Sequence, residues 1–391
     1  MAADFWVSSH YERWIVDRAT LHQARAEDIQ FAENPEYLDY LPIYFANLIT
    51  KLGKKLQFRQ RIIATATVFF RRFYLKNSYC ETDPFTVIAA CCYLAAKAEE
   101  SPVHIKVIVA ESKSLFSQES YGSRPFSSDN GKIAEMEFYL VDDLECDLVV
   151  FHPYRTLLSL CKKEASDSSS SEEGETEDLG VGIGPDDGPR YWGTGDGQLE
   201  FTPAALQTAW SIINDSYRSQ LCLLYPPHLI AIAAIYLTFI LHPPTRPDSS
   251  PVAAEHISAD GARRRSSRQA HNPPRAAATP KKPQDPIAFL ADLNVSLPAV
   301  AAIAQEIISM YTLWDRYSED SMCGVPGVGT PSGEGADADG GPDGGHITPS
   351  FLSAVLLRMR EARVMDASPI APSVSRPVAV NKRLERAQAA G

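Results

Sequence analysis

Arg59-Gln60-Arg61-Ile62-Ile63-Ala64-Thr65-Ala66-Thr67-Val68-Phe69-Phe70-Arg71-Arg72-Phe73-Tyr74, followed after a polar break by Phe85-Thr86-Val87-Ile88-Ala89-Ala90-Cys91-Cys92-Tyr93-Leu94-Ala95-Ala96-Lys97-Ala98, decides the fold. The first stretch has the period of an amphipathic helix. The second is apolar on nearly every side, which a soluble chain tolerates only in a helix surrounded by others. The break between them ends at Asp83-Pro84, and the second helix closes on Lys97-Ala98-Glu99-Glu100-Ser101-Pro102. A lysine ending a buried helix, followed by two glutamates and a proline, is an unusual terminus.

Working outward, Tyr40, Tyr44, Phe45, Leu48, Ile49 and Leu52 keep helical spacing over 37–52, and Gly53 is expected to end that helix. Shorter helical patterns follow near 105–110 and over 130–143. Five helices with no convincing strand predict an all-α module. Before it, Phe5, Trp6, Tyr11, Trp14 and Ile15 mark a short helix capped by Ser8 or Ser9. Its aromatic residues either cover a neighbouring helix of the same chain or meet a partner.

Residues 164–198 hold ten acids against one arginine, with a serine run and many glycines, a composition expected to stay disordered. Thr202-Pro203 starts a second ordered stretch, with Leu206, Ala209, Trp210, Ile213 and Tyr217 on one face. Leu229 to Leu241 is apolar all round. A Pro-rich, basic segment, 243–284, interrupts this half, and helical periodicity resumes over 287–293 and 297–317. Beyond Glu319 the chain is mostly Gly, Pro, Asp and Ala. A weak helix over 351–365 has no pattern obliging it to dock. The expected division is therefore 1–36 N-terminal helix and lead-in, 37–163 first module, 164–198 disordered acidic linker, 199–318 second module interrupted by a disordered basic insert 243–284, and 319–391 mostly disordered tail. The halves repeat in helix pattern, an amphipathic helix then an apolar one, with little residue identity.

The formal charge of −12 over 391 residues opposes a broad grip on nucleic acid. Cys80, Cys91, Cys92, Cys146, Cys161, Cys222 and Cys323 show no metal spacing, so no metal or other cofactor is expected. The odd count, with no secretory segment, suggests a reducing intracellular compartment. No span is read as reaching the roughly 20 apolar residues of a bilayer helix, so no membrane is expected. No nucleophile–base pair or phosphate loop appears, and His152 is a lone histidine with a structural reading.

Two consecutive five-helix modules of this kind resemble the cyclin fold. The strings that carry the resemblance are Phe5-Trp6 with Ser8-Ser9-His10-Tyr11, Arg59-Gln60 with Ile63 to Val68, and Glu137-Phe138-Tyr139-Leu140. His152-Pro153-Tyr154-Arg155 and Leu221-Cys222-Leu223-Leu224-Tyr225-Pro226-Pro227 complete the set. They are most similar to the cyclin C subfamily, in the lengthened form of the fungal RNA polymerase II holoenzyme cyclin-like subunits. The resemblance implies a non-catalytic nuclear subunit that binds and activates the cyclin-dependent kinase of the Mediator kinase module. It implies other Mediator subunits as partners, and no direct contact with nucleic acid. The alternative is a tandem cyclin-fold general transcription factor binding promoter DNA, though that class has a zinc ribbon and basic repeats.

The resemblance also implies roles. Lys97 matches the cyclin lysine, and Glu137 the glutamate, that hydrogen-bond backbone next to the kinase αC helix; Glu135 is the nearest rival to Glu137. Glu100 is a candidate carboxylate for kinase arginines that otherwise await a phosphate. Trp6 and Trp14 are further kinase-binding candidates. Trp210, Asn214 and Asp215 share one helix side and, with Tyr311, resemble a groove that receives the activating Mediator subunit. Leu41-Pro42-Ile43-Tyr44-Phe45 replaces the substrate-docking patch of cell-cycle cyclins, and their buried Arg–Asp pair is expected to be missing, with Arg71 near the acid's place.

Overall fold

The computed structural model describes residues 4–118, 121, 126–163, 199–243, 286–318 and 347–366. Most of the acidic, basic and Gly-rich segments, and Cys323, therefore lie outside the described residues.

Short polar side chains start the first helices. Asp4 accepts from Trp6 N to open a 3-10 turn, Phe5–Val7, and Ser8 accepts from Tyr11 N at 3.4 Å to cap α1, Ser9–Trp14. Two helices not read from the sequence follow: α2, Arg18–Ala24, capped by Asp17, and α3, Ala26–Phe31. A 3-10 helix, Pro35–Tyr40, then runs into α4, Leu41–Lys55.

Gly53 does not end α4. The helix continues to Lys55, and the reversal is made by Gln57 at a φ of 57°. Gly53 is needed for close approach instead: a Cβ there would stand 2.6 Å from Ile63 Cγ1 on the next helix. Gly53→Ala gains up to ~1 kcal/mol of helix propensity but must displace a buried β-branched side chain, which costs about 1–3 kcal/mol. Net destabilisation is expected in thermal melts, and a melting temperature at or above wild type would contradict this packing.

The remaining helices of the first core are α5, Gln60–Lys76, α6, Pro84–Ala98, α7, Ile105–Phe116, and α8, Asn130–Asp143. α6 is the centre, packed by α4, α5, α7 and α8. Its polar cap, Asp83, accepts from Thr86 N, and within the helix Lys97 alone is exposed. Four of the five residues Leu41 to Phe45 are fully buried and only Pro42 is half-buried, so the stretch is core. Arg71 is buried too, bonded to the carbonyls of Pro42 at 2.7 Å and Tyr217 at 3.3 Å. A separate ion pair joins half-buried Arg25 to buried Asp28 at 2.8 Å.

The second core contains α9, Pro153–Leu160, α10, Pro203–Ser216, α11, Leu221–Leu224, α12, Pro227–Leu241, α13, Pro286–Asp292, and α14, Leu297–Asp315. Apolar α12 lies at its centre against α9, α10 and α14. Packing thus places Tyr154, Leu157, Leu160 and Cys161 with the second core, whereas the sequence division ended the first module at 163. Tyr154 and Leu157 of α9 point into the second core because α12 offers it an apolar wall. Two three-residue strands, β1 (Cys161–Lys163) and β2 (Leu199–Phe201), pair in parallel and bring together the ends of the acidic segment. They are the only strands among the described residues and leave the fold all-α.

α14 is, by length and composition alone, apolar enough to cross a membrane, which the sequence reading did not expect. Here Val300, Ile303, Ala304, Ile307 and Met310 are a buried stripe against the second core. Ala64 and Val68 of α5 also belong to that core, so α5 serves both modules.

The largest departure is at the C-terminal side. α15, Pro349–Asp366, docks on the first module, burying Leu352, Val355, Leu356 and Met359. At about 1.5–3 kcal/mol for each fully buried aliphatic side chain, this burial holds in place a helix that its sequence pattern alone does not oblige to dock.

Candidate functional site

The face of interest forms where α6 ends beside α8. Lys97 Nζ donates to both carboxylate oxygens of Glu137, at 2.8 and 2.9 Å, and lies 4.0 Å from the centre of the Tyr93 ring. The lysine side chain is 42% exposed and the glutamate 18%. Partial burial pushes the ammonium pKa down, but the bonds to Glu137 and Tyr93 outweigh it and raise it overall. The two groups thus hold each other in place while remaining reachable. Glu135 is not the partner of Lys97; it accepts from Tyr139 O–H at 3.3 Å. Beside Glu137, Phe138 is 75% exposed on a helix whose other face is core.

The loop after Lys97 is anchored from below. Glu99 pairs with Arg61 at 2.5 Å and accepts from Thr65 Oγ1 at 2.6 Å. Thr65 Oγ1 also meets His152 Nε2 at 2.8 Å, and His152 Nδ1 meets Tyr217 O–H at 2.6 Å. Thr65 spends its only proton on Glu99, so His152 must donate from Nε2 and accept at Nδ1, as a neutral imidazole. Past this anchor, exposed Glu100 takes a φ of 54°, in the left-handed region that disfavours a side chain. Strain of this kind persists where surroundings over-determine it.

Burial lowers the His152 pKa to about 3, helped by Arg61 and Arg72, and lowers His228 to about 4. The unfolded chain therefore takes up these protons first, near pH 6.5, so stability falls as pH drops from 6.5 toward 4. Each histidine accounts for about 2 kcal/mol of loss by about pH 5. In urea unfolding at about pH 7.5 and 5, His152→Gln is expected to lose less stability on acidification than wild type. An unchanged pH dependence would mean that His152 is not held neutral.

Trp14 does not belong to an exposed face. It is 2% exposed, its Nε1–H donates to Asp147 at 2.9 Å, and the Arg72 guanidinium lies 4.9 Å from its ring. The sequence placed it among partner-binding residues because an aromatic on a short amphipathic helix reads the same whichever side it faces. Trp6 is half-buried, edge-on to Phe5 and Tyr11 and 5.4 Å from the His228 ring.

The second group is brought together. Trp210 packs 4.6 Å from the Tyr154 ring, whose O–H donates to Asn214 at 2.8 Å. Tyr311 O–H donates to Asp215 at 2.8 Å, and Arg218 pairs with the same carboxylate at 2.7 Å. Burial raises the Asp215 pKa, with Arg218 and Tyr311 opposing. Arg218 also donates to Asn47 of α4 at 2.8 Å and stacks 3.9 Å over Trp314. Beside them lies a recess of about 140 Å³ lined by Asn47, Thr50, Lys51, Lys54, Arg218 and Trp314. The sequence reading missed Tyr93, Glu99, Tyr154 and Arg218. Spacing alone signals two of them, since Tyr93 precedes Lys97 by one helical turn and Arg218 follows Asp215 by three residues.

Residues 19–149 match the family model described as the N-terminal domain of cyclins. The chain is similar to the RNA polymerase II holoenzyme cyclin-like subunit of Mycosarcoma maydis, at 36% identity over 80% of this chain and 90% of the relative. It is similar to the subunit of the same name in Emericella nidulans, at 31% identity over 82% of this chain and 94% of the relative. Among solved structures, a chain of the yeast RNA Pol II CTD kinase CTDK-1 complex aligns with a TM-score of 0.43 and 17% identity, covering 61% of this chain and 66% of that one.

Proposed function

Since the chain belongs to the cyclin family, alongside the RNA polymerase II holoenzyme cyclin-like subunits, we propose that it is a non-catalytic subunit that binds and activates a cyclin-dependent kinase in the nucleus. The observation that supports this most is the Lys97–Glu137 pair. An exposed ion pair contributes little to stability, so opening it costs little. Its ammonium can then donate to a kinase carbonyl, and its carboxylate can accept from a kinase amide, beside αC. Exposed Phe138 supplies adjacent apolar area.

The chain needs no chemistry of its own. A kinase must pair its β3 lysine with the αC glutamate before phosphoryl transfer. A subunit that binds αC only in that position shifts the population toward it. Glu100, held outward by the anchored Glu99, would meet kinase arginines as a fixed carboxylate. We place this activity in the Mediator kinase module and assign the Trp210, Asn214, Asp215 and Tyr311 groove to the activating Mediator subunit. Control of RNA polymerase II transcription follows from that assembly. The DNA-binding alternative gains nothing from a chain of net charge −12.

The test is co-purification of the tagged chain at native level, with Asp215→Lys as a second bait. Wild type is expected to recover a cyclin-dependent kinase and further Mediator subunits. Asp215→Lys is expected to keep the kinase and to lose at least about 10-fold of the activating subunit, the usual cost of a repulsive charge at an interface. Recovery of no kinase would overturn the reading, and undiminished recovery of every subunit by Asp215→Lys would overturn the groove assignment.

A further inference from the structure

The docking of α15 has the anatomy of a ligand in a site. Its inner stripe, Leu352, Val355, Leu356 and Met359, sits against α3, the 3-10 helix and α4, while Leu357, Val364 and Met365 face outward and are exposed. Ser353 Oγ donates to the Tyr121 carbonyl at 2.9 Å, and the Tyr37 and Phe351 rings meet edge-on at 4.9 Å. Around this stripe, three arginines of the helix pair with carboxylates of the lead-in and of the first module. Arg358 pairs with Glu33 at 3.4 Å, Arg360 with Asp83 at 3.2 Å, and Arg363 with Glu27 at 2.8 Å and Glu81 at 3.3 Å.

We propose that this acidic-rimmed apolar face is a docking site for arginine-bearing amphipathic helices, with α15 as its tethered resident and a partner protein's helix as its exchangeable occupant. The partner chemistry is read from α15 itself. Counting from Leu352, the aliphatic positions are i, i+3, i+4 and i+7, and the arginines are i+6, i+8 and i+11. This is helix-in-groove recognition, and the charge pairs fix register and orientation. Residues 319–346 join α15 to α14, and the chain returns where it left, with Ile347 N donating to the Arg316 carbonyl at 2.8 Å. A tether makes the resident's docking intramolecular, so a free helix of the same pattern competes against an effective concentration rather than against a bond. The site lies apart from Lys97 and Glu137, and the inference does not depend on the kinase reading.

The experiment uses the full chain with a protease site introduced within 319–346, and a fluorescent peptide spanning 347–366. After cleavage, the α15 fragment is expected to stay with the body on size exclusion and to exchange for excess labelled peptide in a saturable way. A peptide carrying Leu352→Asp and Leu356→Asp is expected to bind at least about 10-fold more weakly, and wild-type binding to fall with salt. Uncleaved wild type is expected to exclude the peptide, and uncleaved R358E/R360E/R363E to admit it. A fragment that never exchanges, or whose loss collapses the body's circular dichroism, would make α15 a fixed core element and overturn the proposal. Failure of the triple-arginine variant to admit the peptide would overturn it as well.

Discussion

Alanine at both Lys97 and Glu137 is expected to weaken association with the kinase by about 100-fold or more, the usual effect of removing both charged donors and acceptors from the centre of an interface. The variant should fold as wild type. The pair is 42% and 18% exposed, and exposed ion pairs contribute about 0–1 kcal/mol, so the melting temperature should move by only a few degrees. The two single variants are informative. Lys97→Ala removes the ammonium that would donate to the kinase backbone, so it should cost most of the binding that the double change costs. A double variant that binds as tightly as wild type, measured by titration with purified kinase, would move the interface elsewhere. A variant that loses binding only because it unfolds would say nothing for the contact, which is why the melt accompanies the titration.

Trp14→Ala is expected to behave in the opposite way, with a large loss of stability and no direct loss of contact. Removing a buried tryptophan costs about 3–5 kcal/mol. The Asp147 carboxylate also loses the indole N–H at 2.9 Å, and the guanidinium of Arg72 loses its ring. Arg72 is fully buried, with its pKa lowered by burial to about 10, so it depends on the few groups that face it. Trp14→Phe restores most of the packing but not the hydrogen bond and should recover more than half of the loss. The check is urea unfolding of the three chains, with kinase affinity measured where each is folded. A Trp14→Ala chain of near-native stability and weakened affinity would return this residue to the binding surface.

These two residues mark what the sequence allows to be read. The α5–α6 pair was legible because its periodicity and its fully apolar partner leave one arrangement in water. Lys97 was legible because a lysine has no place inside such a helix except where the helix emerges. The Trp210, Asn214, Asp215 and Tyr311 set was legible through helix spacing and resemblance, and the structure joins it through Tyr154 and Arg218. Trp14 was not, because a buried and a protruding tryptophan have the same pattern, and only Asp147, far along the chain, distinguishes them. Gly53 looked like a helix end because glycine tolerates positive φ, whereas the constraint was the approach of Ile63 from α5. α15 was hidden for a related reason: its docking depends on a complementary surface built from residues 27 to 121, which local propensity does not contain.

The proposed contact through which this chain activates a kinase is made by Lys97 and Glu137. The most direct measurement is phosphorylation of a peptide substrate by the purified kinase subunit, titrated with wild-type chain or with the folded Lys97→Ala/Glu137→Ala variant. Wild type is expected to switch the kinase on in a saturable manner, and the variant to need about 100-fold more protein for the same rate. Equal activation by both chains at equal concentration would contradict the proposed contact.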